Sequence, residues 1–219
     1  VILWAHREHV PLRSSKSDVA ANAKAIMTAL LNAFMAFESG GRAHIARTHH
    51  RKHVQDFFVT VAAPWSYTIT KDVTYREDIP FAITTDLIEE LTETAEEKIT
   101  HDLKENDKAD SLDLTITDRR RFALLSNGYR FLEPQNQRVT DLTIAFGSTI
   151  IQQHLGQTLA DAQERLAPQS SSTIITFMVA FYEVLKILRP HWNEVCLVDV
   201  TYEATEMGIV RNGVLRYCT

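Results

Sequence analysis

The chain has 219 residues, enough to bury a real core as one large domain or two small ones. Its 45% hydrophobic content with only 7 Gly and 6 Pro excludes a disordered chain, and a net charge of −5 spread along the sequence gives no basic field, so nucleic acid is not an implied partner. Cys196 and Cys218 have no CxxC spacing, so neither a disulfide framework nor a zinc site is expected of them, and a reducing, cytoplasmic setting fits. No apolar run approaches the roughly 20 residues that span a bilayer, and any membrane link is expected to be indirect. Both ends lie at apolar, strand-like runs, which leads us to expect a fragment.

Val1 to Val10 reads as a strand, followed by Pro11 and the helix-cap candidates Ser14 to Asp18. Val19, Ala23, Ile26, Met27, Leu30, Leu31 and Phe34 then recur at three and four, the stripe of a core-facing helix, which Gly40-Gly41 is expected to stop. His44 to His53 is basic and reads as a solvated loop, leading to the run Phe57 to Ala63, which suits a strand buried on both faces. After Pro64 the pattern alternates from Trp65 to Tyr75, a half-exposed strand.

Thr84, Thr85 and Asp86 open an acidic helix with Leu87, Ile88, Leu91, Ala95, Ile99 and Leu103 on one face. Asn106 to Asp110 is a polar connection. Leu112, Leu114 and Ile116 alternate again, and two further strands, Phe122 to Ser126 and Tyr129 to Leu132, flank Asn127-Gly128, a tight-hairpin signal. Leu142, Ile144 and Phe146 give one more alternating strand. Thr149 with Gln152 reads as a capping box for a helix through Leu155, Leu159, Ala162 and Leu166. Thr173 to Phe177 is a short strand, Val179 to Leu188 a helix and Val195 to Val200 a strand, and Asn212-Gly213 joins the last two strands, Ile209-Val210 and Val214 to Tyr217. Trp4, Trp65 and Trp192 read as packing residues.

Three stretches carry a resemblance: Phe57 to Trp65 with Val73 to Thr85 and the acidic helix; Thr173 to Leu188; and above all Cys196 to Glu206 with Asn212 to Tyr217. Together they resemble the FtsA/PilM proteins of the actin-like superfamily. The resemblance implies an α/β, actin-like (ribonuclease H-like) subdomain with an inserted small α+β subdomain. Residues 1–64 and 148–192 would be the two parts of the first domain, 65–147 the insertion, and 193–219 the start of the second domain with its phosphate-facing hairpin. It implies a scaffold or assembly protein in cell division or pilus assembly, acting by protein contact or self-association through the insertion. ATP and magnesium belong to the full-length form, with no cofactor for this stretch.

On that resemblance the nucleotide-side residues are Asp199 as the magnesium-side acid, Thr201 in the turn, Thr205 as a phosphate-side hydroxyl, and Glu206 beyond them. Thr201 and Tyr202 stand where the family has glycines, and their Cβ atoms oppose positive φ and close phosphate approach. The competing reading is a genuine actin-like ATPase in the full-length form. A third is an unrelated α/β domain with a metal site at His44, His49, His50 and His53, where His49 and His53 could share a helix face. Against it, Arg47, Arg51 and Lys52 repel a cation and no acidic ligand is interleaved.

Overall fold

The computed structural model describes residues 2–10, 19–49, 56–105, 113–131, 134–135, 137–201 and 204–219. In chain order the elements begin with α1 (Val19–Ala36), a π-helical turn (Phe37–Gly41), α2 (Arg42–His49), β1 (Asp56–Val61), β2 (Ser66–Ala82), α3 (Thr85–Glu105), β3 (Leu114–Ser126) and β4 (Tyr129–Arg130). They continue with β5 (Arg138–Gln152), α4 (Gln153–Leu166), β6 (Ser171–Thr176), α5 (Phe177–Leu188), β7 (Val195–Val200), β8 (Thr205–Arg211) and β9 (Val214–Cys218). This is the mixed α/β class the sequence implies. The chain forms two compact units, Val1–Val59 with Gln153–Thr173, and Thr60–Gln152 with Ile174–Thr219.

In the first unit the expected strand at the start is corrected: residues 2–10 pair with no strand among the described residues. Side chains hold this segment instead. Trp4 stacks on His6 and meets Phe37 edge-on, each at 5.6 Å between ring centroids. The stripe of α1 is half-buried and packs on α4, whose Leu155, Leu159 and Ala162 are buried. Gly40-Gly41 does not stop the helix, a second correction, because the chain passes through the π-helical turn directly into α2. A Cβ on Gly41 would lie 2.7 Å from Phe37 Cδ2 and 2.8 Å from Trp4 Cδ2, so this glycine makes room for two rings. His44 to His49 is therefore helical and not the loop expected, while Pro11, Ser14 to Asp18, His50 and His53 lie outside the described residues.

β1 and β6 form a two-stranded sheet. The expectation that Phe57 to Ala63 is buried on both faces is also corrected, since burial alternates along β1 and Phe58 is 61% exposed.

The second unit is built on a sheet in the order β2-β5-β3-β4. β5 runs antiparallel to β2 from Ser66↔Ile151 to Arg76↔Asp141, and to β3 from Leu114↔Gln152 to Leu125↔Thr143. Helix α3 lies on one face, with Ile88, Leu91, Ala95 and Ile99 buried against Val73, Leu124, Leu142, Ile144 and Phe146. Thr84 opens it as expected, its hydroxyl accepting from Leu87 N–H at 3.2 Å. The other face packs Ala123, Leu125 and Ala145 against Met178, Val179 and Tyr182 of α5 and Leu197, Val210 and Leu215 of β7 to β9. Burial of these two layers is the main source of the unit's stability.

Both Asn-Gly turns form. Asn127 and Gly128 have φ of 50° and 80°, Asn212 and Gly213 of 52° and 69°, the paired positive values of a tight hairpin. The strands expected at Leu112 to Ile116 and Phe122 to Ser126 are one strand, β3, with register shifts at Ile116/Asp118 and Arg121/Ala123. Leu112, the 106–110 connection and Leu132 lie outside the described residues. The capping box at Thr149 and Gln152 is corrected: β5 continues through both, and Thr149 Oγ1 accepts instead from Thr176 N–H at 3.3 Å. β-Branched Thr149, Ile150 and Ile151 have strand partners on both sides, which outweighs the local cap. Thr176 caps α5, accepting from Val179 N–H at 3.1 Å.

Gly147 on β5 lies under the Phe122 ring, and a Cβ there would sit 2.3 Å from Phe122 Cε2. That ring is 3% exposed and edge-on to Tyr182 at 5.4 Å, so it cannot retreat without disturbing the core. Gly147→Ala is expected to cost about 2 kcal/mol in urea unfolding, with Phe122→Leu in the same chain recovering part of the loss. An alanine variant as stable as the parent would mean the ring has room.

Candidate functional site

The site is the sheet of β7, β8 and β9, whose residues face alternately into the unit and outward. On β7 the inward positions are Val195, Leu197 and Asp199, and their cross-strand partners on β8 are Val210, Gly208 and Glu206. Gly208 is opposite Cys218 on β9, so Cys218 also faces inward. A Cβ on Gly208 would meet Met178 Sδ at 2.7 Å, which shows how closely α5 approaches this face. Outward stand Cys196, Val198 and Val200, with Thr205 and Met207 opposite the last two. The two cysteines are free and on opposite faces of the sheet.

Glu206 is the chemically unusual residue. It is 3% exposed, and neither carboxylate oxygen has a hydrogen-bond partner among the described residues. Burial, with the facing Asp199 carboxylate adding, pushes its pKa up to about 7. The Cys218 thiol is pushed up to about 12 by burial and by the charge of Glu206, against a hydrogen bond from Thr68 that acts the other way. Such a thiol stays protonated and is no nucleophile at neutral pH. Thr68 is itself buried, its hydroxyl 2.6 Å from that of Thr176.

The turn after β7 is closed by its own groups. Thr201 N–H and Thr201 Oγ1 both donate to the Ala204 carbonyl at 2.9 Å, and Ala204 N–H donates to Thr201 Oγ1 at 3.1 Å. Tyr202, in the middle of this turn, lies outside the described residues. The structure thus brings together Asp199 and Glu206. Thr201 is engaged within the turn, and Thr205 is exposed on the opposite face of β8.

A phosphate nest needs free backbone N–H groups converging on an anion. Here the described N–H groups of the turn are consumed internally, and the nearest side chains are a carboxylate and a buried carboxyl. Among the described residues the turn therefore presents no N–H group to a phosphate.

Among the described residues no group of three or more His, Cys, Asp and Glu side chains could hold a metal ion. His44 is exposed on α2. The outer face of α3 makes individual surface pairs, Glu96 with Arg119 at 3.5 Å and Asp102 with Lys71 at 2.5 Å. No helix among the described residues is long and apolar enough to cross a membrane.

Asp199 and Glu206, both singled out in the sequence, stand as cross-strand partners, whereas Cys218 and Thr68 beside them were not singled out. Period-two counting along Glu206, Gly208 and Val210 puts Glu206 on the buried face; the partners come from β9 and β2, which local patterning does not bring to it.

No protein-family model matches the chain, and no curated protein matches it. Among solved structures the chain is similar to the PilM-PilN type IV pilus biogenesis complex, at 14% sequence identity and a TM-score of 0.43. The match covers 98% of this chain and 51% of that one, so the chain spans about half the length of the structure it matches.

Proposed function

We propose that this chain is a non-catalytic assembly module that works by protein contact, the FtsA/PilM-like scaffold role implied by its hairpin, with residues 65–147 as the contacting insertion. Cell division and pilus assembly are the two settings that resemblance offers, in a cytoplasmic location. The observation that carries the reading is the self-closed turn at Thr201 and Ala204, which leaves no described N–H for a phosphate. Glu206 supports it, since a carboxyl titrating near 7 inside the sheet is a poor magnesium ligand. The competing ATPase reading needs Asp199 to hold magnesium or its water.

Calorimetric titration of the chain with ATP and magnesium decides between them. No magnesium-dependent binding is expected below about millimolar ATP, the weak end of the affinity scale. Tighter binding that requires magnesium and disappears in Asp199→Ala would overturn the assembly reading.

A further inference from the structure

We propose that Asn127, at the tip of the β3–β4 hairpin, is a site of spontaneous covalent modification, deamidating through a succinimide formed with Gly128, and that the matching Asn212-Gly213 turn is protected from the same reaction. The reaction needs no partner, so it stands apart from the assembly reading. Its chemistry is set by the residue pair. The Gly128 backbone nitrogen, having given its proton to hydroxide, attacks Cγ of Asn127. A nitrogen–carbon bond forms, the Cγ–Nδ2 bond breaks, and ammonia leaves with a proton taken from water, which restores the hydroxide. Water then opens the ring at either carbonyl and leaves aspartate or isoaspartate at 127, with no change of oxidation state. A glycine on the C-terminal side favours ring closure because no Cβ shields its nitrogen.

Both Asn-Gly pairs meet that requirement, and their surroundings separate them. Ring closure swings the asparagine Cγ onto the next nitrogen, a rotation that a closed hairpin turn resists, so the rate follows how readily each turn opens. At the first turn little opposes opening. β4 is two residues long and pairs through Leu125↔Arg130 and Ser126↔Tyr129, with the Phe131 N–H donating to the Leu124 carbonyl at 2.9 Å behind them. Asn127, Gly128, Tyr129 and Arg130 are all exposed, and a Cβ on Gly128 would meet nothing within 4 Å, so the ring and the water both have room. Asn127 is held by its own N–H, donated to the Asp141 carboxylate at 2.9 Å, a contact that acts on neither its side chain nor Gly128. The second turn is tied down on several sides. Asn212 N–H donates to Glu194 Oε1 at 2.9 Å, and Gly213 N–H, the nucleophile itself, donates to the Asn193 carbonyl at 2.9 Å. The Gly213 carbonyl accepts from the Tyr182 hydroxyl at 3.0 Å, Val214 and Leu215 behind it are buried, and a Cβ on Gly213 would sit 3.1 Å from Asn193 Oδ1. Conversion at 127 adds a negative charge to the residue whose N–H the buried Asp141 accepts. Isoaspartate also adds a backbone atom before Gly128, which moves Tyr129 and Arg130 out of register with Ser126 and Leu125.

The whole chain, incubated in mildly alkaline buffer and digested at intervals, is read by peptide mass spectrometry, with isoaspartate told from aspartate by fragmentation. In the folded chain, conversion at Asn127 is expected to run severalfold faster than at Asn212. In urea the two rates should converge, because each pair then meets only its neighbours along the chain. Tyr182→Phe keeps the ring and frees the Gly213 carbonyl, so it is expected to speed conversion at 212 and leave 127 unchanged. Equal rates in the folded chain, faster conversion at 212, or a difference of the same size in urea would each overturn the proposal. So would a Tyr182→Phe chain whose rate at 212 does not rise, or no folded-state product at 127 over the time in which the unfolded chain converts. Magnesium-dependent ATP binding removes the assembly reading and leaves this reaction untouched; absence of conversion at 127 does the reverse.

Discussion

Tyr182→Ala is expected to destabilise the second unit by about 4 kcal/mol. Tyr182 is fully buried on α5, where its ring meets Phe122 edge-on at 5.4 Å and joins the core shared by the four-stranded sheet and β7 to β9. Its hydroxyl donates to the Gly213 carbonyl at 3.0 Å, so one residue ties the helix to the β8–β9 turn. Burial pushes its phenol up to about 12, which keeps it a donor throughout the usual pH range. Tyr182→Phe separates the two contributions: it keeps the ring and orphans the Gly213 carbonyl, and about 1 kcal/mol is expected. Urea unfolding of both variants measures the pair. A phenylalanine variant as unstable as the alanine one would assign the residue's worth to the hydrogen bond and contradict the packing argument.

What could be read from the sequence follows from how local each determinant is. The buried stripe of α3 and the two Asn-Gly turns are set by neighbouring residues, and they form as expected. The burial of β5 on both faces could not be read, because its second face is made of Thr143, Ala145, Gly147 and Thr149, small and partly polar residues that carry no hydrophobic signal. They are small because Phe122 and the threonines of β2 and β6 lie against them. Phe57 and Phe58 err the other way: a dense apolar run promises two covered faces, and along β1 burial alternates, with Phe58 61% exposed. Gly41 looks like a helix stop until Trp4, distant in sequence, is placed above it. In the candidate site the hairpin pairs Asp199 with Glu206, a relation the spacing allows one to foresee. The loss of solvent around Glu206 depends on β9 and α5, and only the tertiary structure supplies it.

Glu206→Gln is expected to remove a pH dependence of stability worth about 3 kcal/mol, the gap between an ordinary carboxyl at 4.5 and one at about 7. The proton is held more tightly in the folded chain than in the unfolded one. Between those two pH values the native state therefore binds more protons, and stability falls as pH rises. The contribution is fully present below about 4.5 and gone above about 7. The glutamine variant carries no charge at either end, so it should match the parent near pH 4.5 and exceed it at pH 8. Asp199→Asn removes the smaller cause and leaves burial, so it should move the loss to lower pH without abolishing it. Urea unfolding across this range reads the difference between parent and variant, in which the other carboxylates cancel. A parent whose slope survives Glu206→Gln would show that this carboxyl is hydrated in solution.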